Sequence, residues 1–111
     1  MKTKIVILIT FILSTALPVL AQKDTLVVKT TANCSMCKKN IESGLRFEKG
    51  VQQSVVDVDK KLVTIIYRSD KTNAVQLRTA ISNIGYAADT IPANKIAHDK
   101  LPKCCQAGGH Q

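Results

Sequence analysis

The chain has 111 residues, 16 Lys plus Arg against 8 Asp plus Glu, a formal net charge of +8, and four cysteines. That length allows one domain, and an apolar fraction of 45% excludes a disordered chain, which would be poorer in Val, Ile and Leu. The absence of Trp excludes a large ring-lined pocket and the size excludes a multi-step enzyme, leaving a small binding module, redox protein or interaction domain.

Met1-Lys2-Thr3-Lys4 is short and basic, an apolar run follows over residues 5–20, and Val19-Leu20-Ala21 puts modest side chains before Gln22. This three-part layout predicts a secretory signal peptide over residues 1–21. Spanning hydrocarbon takes about 20 apolar residues, and Thr10, Ser14, Thr15 and Pro18 interrupt the run, which argues against a retained anchor. The expected mature chain is 22–111, periplasmic or otherwise exported, with no membrane insertion after cleavage. It stays basic without Lys2 and Lys4. Its lysines are scattered with no aromatic residues among them, so no nucleic-acid groove is expected, since such grooves pair charge with stacking rings. The charge suits an acidic protein partner or a plain solvated surface.

Residues 24–31 predict a strand, with Leu26, Val28 and Thr30 alternating against Thr25, Val27 and Lys29. Residues 34 to about 48 predict a helix, because Cys37, Ile41 and Leu45 recur at i, i+4, i+8. Gly50 is expected to end it. Two strands follow at 51–58 and 62–67, joined by the polar connection Asp59-Lys60-Lys61. Residues 72–84 predict a second helix with Leu77, Ile81 and Ile84 as its buried stripe, closed by Gly85, and 86–91 predict a last short strand before Pro92. The order β-α-β-β-α-β makes an α+β, ferredoxin-like, two-layer sandwich with one core. The expected division is a signal peptide at 1–21, a domain at 22–92, and a flexible Cys-containing tail at 93–111.

Cys34-Ser35-Met36-Cys37 falls where a strand ends and a helix begins. The unpaired N–H groups and the positive end of the dipole favour thiolate there. Two thiolates three positions apart can converge on a soft cation. The same pattern fits a redox dithiol of the thioredoxin type and a structural disulfide. Against the redox reading, no Gly-Pro separates the cysteines, no Trp precedes Cys34, and the element order is not that of thioredoxin. A closed zinc site wants four ligands, and His98 and His110 both fall beyond the predicted domain.

With the loop Thr31-Ala32-Asn33-Cys34-Ser35-Met36-Cys37, Ile41-Glu42 and Leu45, Gly50-Val51, Val56-Asp57-Val58 and Ile84-Gly85-Tyr86-Ala87 in this order, the sequence resembles the heavy-metal-associated domain family. That module occurs in copper chaperones, in copper-transporting P-type ATPases and in the periplasmic mercury-binding protein. The resemblance implies that Cys34 and Cys37 are the two thiolate ligands of a near-linear Cu(I) or Hg(II) site, with Cys37 the more buried. It implies that Tyr86 shields the ion. Thr31, Ala32 and Asn33 stand where the family carries Gly, a buried Met, and Thr or His, so a looser anchor is expected beneath the loop. The stretch from Val51 to Val56 is one residue longer than the family's.

The expected function is therefore that of an exported, non-enzymatic carrier. It takes Cu(I) first, with Hg(II), Zn(II) or Cd(II) as other candidates, and passes the ion by thiolate exchange. The receiver would be a metal-transporting ATPase or another metal-handling protein with a matching domain. The alternative is a periplasmic thiol–disulfide protein using the same cysteines. Met36 is expected to face solvent, and Lys38 and Lys39 to form a solvated face or balance thiolate charge. In the tail, Cys104 and Cys105 either supply auxiliary ligands or form disulfides.

Overall fold

The computed structural model describes residues 22–106. Strand β1 (Lys23–Lys29) leads to helix α1 (Ser35–Arg46), strands β2 (Val51–Asp57) and β3 (Leu62–Arg68), helix α2 (Ala74–Ile84), the short helix α3 (Lys95–Asp99), and a 3-10 turn at Lys103–Cys105. The strands form one antiparallel sheet in the order β1-β3-β2, with Val63 opposite both Val28 and Val56. Alternation decides which side of this sheet is covered. Val28, Val56, Val63, Ile65 and Tyr67 point inward, while Val27 and Val55 stay exposed. Cys37, Ile41 and Leu45 of α1 and Leu77, Ala80 and Ile81 of α2 close over them. Burying an Ile or Leu side chain contributes about 1.5–3 kcal/mol, so the period-four stripe of α1 holds the helix to the sheet.

The two-layer α+β sandwich expected from the sequence is present, with differences in detail. The extra residue before Val56 is taken up as an irregularity in the β2–β3 pairing between Val51 and Gln53. Helix α1 ends at Arg46, before Gly50, and turns at Phe47 and Glu48 carry the chain to Gly50, whose φ is +85°. Helix α2 begins at Ala74 because the Asn73 side chain accepts from the Gln76 N–H at 2.9 Å. Gly85 ends it at φ +119°.

The expected sixth element is not a strand. Ala88 makes single bridges to Thr30 and to Ile91. Asp89 adopts φ +52°, and the chain doubles back so that Ala88 and Ile91 exchange N–H···O bonds of 2.9 Å in both directions.

The flexible tail is also corrected over residues 93–106. They form α3 and the 3-10 turn, and they bring Cys105 to complete burial in the core. The predicted signal peptide, residues 1–21, and His110 lie outside the described residues. Among the described residues, no helix is long and apolar enough to cross a membrane.

Candidate metal centre

The loop between β1 and α1 is pinned from below and from the side. Ala32, in place of a larger residue, is completely buried, and the Ala87 N–H donates to Thr31 Oγ1 at 3.2 Å. Cys34 occupies the helix N-cap in extended conformation, φ −150°, and its carbonyl accepts from the Lys38 N–H at 3.2 Å. No side-chain hydrogen bond caps this terminus, and the Cys37 N–H is directed at the Cys34 sulfur. Cys37 sits in the first turn with its side chain fully buried, whereas Cys34 is half-buried, as the resemblance implied. Their sulfurs lie 3.1 Å apart. Asn33 Oδ1 accepts from Cys37 Sγ at 3.3 Å.

Met36 is 48% exposed and turns to solvent. Lys38 does not face the sulfurs: its Nζ donates to Glu42 Oε2 at 2.7 Å and to the Val56 carbonyl at 3.0 Å. Glu42 also accepts from the Val56 N–H, so this network ties α1 to β2. Lys39 is exposed.

Tyr86 is fully buried, and its hydroxyl accepts from Asn40 Nδ2 at 3.2 Å. Burial pushes its phenol up, and contact with Cys105 pushes it in the same direction. Tyr86 therefore forms a neutral wall under the cysteines. Asn40, one turn beyond Cys37, was missed by sequence reasoning; its Nδ2 also approaches Cys105 Sγ at 4.0 Å. Nothing in the local pattern distinguishes it from other polar helix positions.

The tail reaches the site by a defined path. Ser82 Oγ donates to the Pro92 carbonyl at 2.7 Å, and the Asn94 N–H donates to the Ser82 carbonyl at 3.0 Å. Asn94 then caps α3 through the Ala97 N–H, and His98 Nδ1 lies 3.1 Å from the Gly85 carbonyl, a contact in which only the ring N–H can donate. Leu101 packs against the core, and the Gln106 side chain donates to the Leu101 carbonyl at 3.0 Å. These anchors set Cys104 Sγ 2.8 Å and Cys105 Sγ 3.5 Å from Cys34 Sγ, with 3.8 Å between the two tail sulfurs. No disulfide joins any of the four.

Burial opposes ionisation of Cys34, but contacts with the Cys104 and Cys37 thiols, the Cys37 N–H and the Cys105 thiol outweigh it, lowering its pKa from 9.0 to about 6. The contact with Cys34 raises Cys104, so the shared proton stays there. Burial, reinforced by Cys37, raises Cys105. Among the described residues, Cys34, Cys104 and Cys105 form a group of ligand side chains close enough to hold one ion, with Cys37 touching it through Cys34. Sulfur donors of this kind select soft cations.

The sequence matches the family described as heavy-metal-associated domain over residues 30–87. It is 37% identical over 67 residues to a copper-exporting P-type ATPase of Staphylococcus epidermidis, a match covering 60% of this chain and 8% of that protein. It is 33% identical over 54 residues to the copper chaperone CopZ of Staphylococcus haemolyticus, covering 49% of this chain and 79% of the chaperone. The chain thus spans about 8% of the length of the ATPase that it matches. A solved CopZ metallochaperone has a TM-score of 0.56 at 26% identity, covering 59% of this chain and 98% of that one.

Proposed function

The chain belongs to the heavy-metal-associated domain family, and on that premise we propose that it is a carrier for a soft metal ion, Cu(I) foremost, bound by Cys34 and Cys37. The observation that carries this reading is the pair of sulfurs 3.1 Å apart at an uncapped helix N-terminus, one half-exposed and one buried. The buried sulfur holds the ion, and the accessible one meets a receiver. Transfer proceeds by thiolate exchange: an incoming thiolate bonds to the ion as a thiolate of this chain leaves, and the ion keeps its oxidation state. The names of the chaperone and ATPase relatives support copper as the cargo and a metal-transporting ATPase, or a protein with a similar domain, as the receiver. The basic charge favours an acidic receiver. The signal-peptide pattern of residues 1–21 supports an exported location. Hg(II), Zn(II) and Cd(II) are the other cargoes the donor set would accept. On this reading the protein is not an enzyme.

Anaerobic titration of the reduced protein with Cu(I), Zn(II) and Hg(II), beside Cys34→Ala, tests the reading. Tight Cu(I) binding that the substitution abolishes is expected; unchanged stoichiometry and affinity in the variant would remove the pair from the account.

One observation favours a second reading. The lowered pKa of Cys34, with Cys104 in contact, suits thiol–disulfide exchange, in which two thiols are oxidised as a substrate disulfide is reduced to two thiols. Turnover of a disulfide substrate would mark that activity, and a carrier shows none.

A further inference from the structure

The two-sulfur carrier reading leaves Cys104 and Cys105 without a task, although the fold invests several anchors in placing them. Gly85, Ser82, Asn94, His98 and Leu101 all hold the returning segment against α2 and the core. Local strand and helix preferences would not steer two adjacent cysteines onto a third some 70 residues away. Simple burial of apolar surface explains Cys105, which is fully enclosed, but not Cys104, which remains half-exposed with its sulfur turned to Cys34.

We propose that Cys104 and Cys105 are metal ligands, and that the tail converts the open Cys34–Cys37 pair into a closed centre of three or more sulfurs with Cys34 at its middle. The proposal rests on the carrier reading, since the ion is the same soft d10 cation. The spacing suits it. At a metal–sulfur bond of about 2.3 Å, two sulfurs on a tetrahedral ion lie about 3.8 Å apart. The Cys34–Cys105 and Cys104–Cys105 separations are 3.5 and 3.8 Å. The 2.8 Å Cys34–Cys104 and 3.1 Å Cys34–Cys37 contacts need to open by about 1 Å to admit the ion. Cys37 and Cys105 are buried in the core, whereas Cys34 and Cys104 are half-exposed at its mouth, so the opening falls to these two outer sulfurs.

The tail then acts as a displaceable cap. With Cys104 bound, the ion's open side is covered and stray thiols are excluded. A receiver's thiolate takes the place of Cys104 first, and the ion leaves through Cys34.

The test loads the reduced protein anaerobically with one equivalent of Cu(I) and counts copper–sulfur neighbours by X-ray absorption. Competition with a chromophoric Cu(I) chelator gives the affinity. The same measurements follow on Cys104→Ala and on the double variant Cys104→Ala/Cys105→Ala, with a thermal melt to confirm folding. The wild type should show three or more sulfurs and Cys104→Ala fewer. Loss of outer-shell groups alone costs about 10–100-fold in metal affinity, so loss of this direct ligand should cost at least about tenfold. A two-sulfur shell in the wild type, with Cys104→Ala unchanged, would overturn the cap and leave the carrier standing. A wild type that ignores Cu(I) would overturn both. The wild-type sulfur count decides the matter even where the double variant fails to fold.

Discussion

Cys104 Sγ lies 2.8 Å from Cys34 Sγ, although the two residues are 70 positions apart in the chain. This contact links the segment after the domain's last helix to the loop before its first. It also sets the chemistry of Cys34, because a thiol beside a thiolate donates to it.

Alkylation reports this directly, since the thiolate is the nucleophile. The lowered pKa keeps Cys34 ionised down to about pH 6, so its alkylation rate should be half-maximal near that value. Cys104, raised by the same contact, should react only at higher pH. Cys104→Ala removes the donor and should move the Cys34 midpoint upward, as residue-resolved mass spectrometry would read. A Cys34 midpoint at the ordinary thiol value in the wild type would contradict the contact.

Gly85 joins α2 to the returning segment at φ +119°, and a Cβ there would come within 3.1 Å of the Ala97 backbone and 3.0 Å of Leu101. Gly85→Ala therefore meets both a backbone penalty and a clash, together about 2 kcal/mol or more. Denaturant melts should show that loss, and Cys105 should become open to alkylation as the tail lifts. Stability within a few tenths of a kcal/mol of wild type would count against this account of the hinge.

Asp89 accepts from the Lys29 N–H at 2.9 Å and from Arg78 Nε at 2.8 Å, and these contacts hold its carboxyl below the usual range. A carboxylate depressed on folding contributes stability that is fully present above its unfolded pKa and is lost as pH falls through the folded value. Asp89→Asn tolerates the positive φ but cannot ionise. Its stability should therefore change less than that of wild type on acidification from about pH 6 to 2, as urea melts across that range would show.

Tyr86→Phe keeps the ring that walls the site but removes the acceptor for Asn40. We expect a cost of about 1 kcal/mol with Cu(I) affinity little changed. A large loss of affinity would mean that the hydroxyl, not the ring, serves the ion.

Much of this was legible in the sequence because it is local. Cys37, Ile41 and Leu45 declare a helix face by spacing alone, and all three are completely buried. The extra residue before Val56 announced the irregularity found between Val51 and Gln53. The last strand is not legible because Asp89 carries a positive φ with no glycine to signal it. The order of the tail is hidden for a different reason. Its order comes from distant partners, Ser82, Gly85 and the core around Cys105, and a polar stretch with no period gives no local sign of them. Asn40 likewise approaches Cys105 only through the fold.

The most direct test of the central claim is the metal content and thiol state of the protein isolated anaerobically from its own cells with no metal added. The account predicts copper bound to protein whose Cys34 and Cys37 are unoxidised. Metal-free protein with Cys34 and Cys37 permanently joined in a disulfide would contradict it.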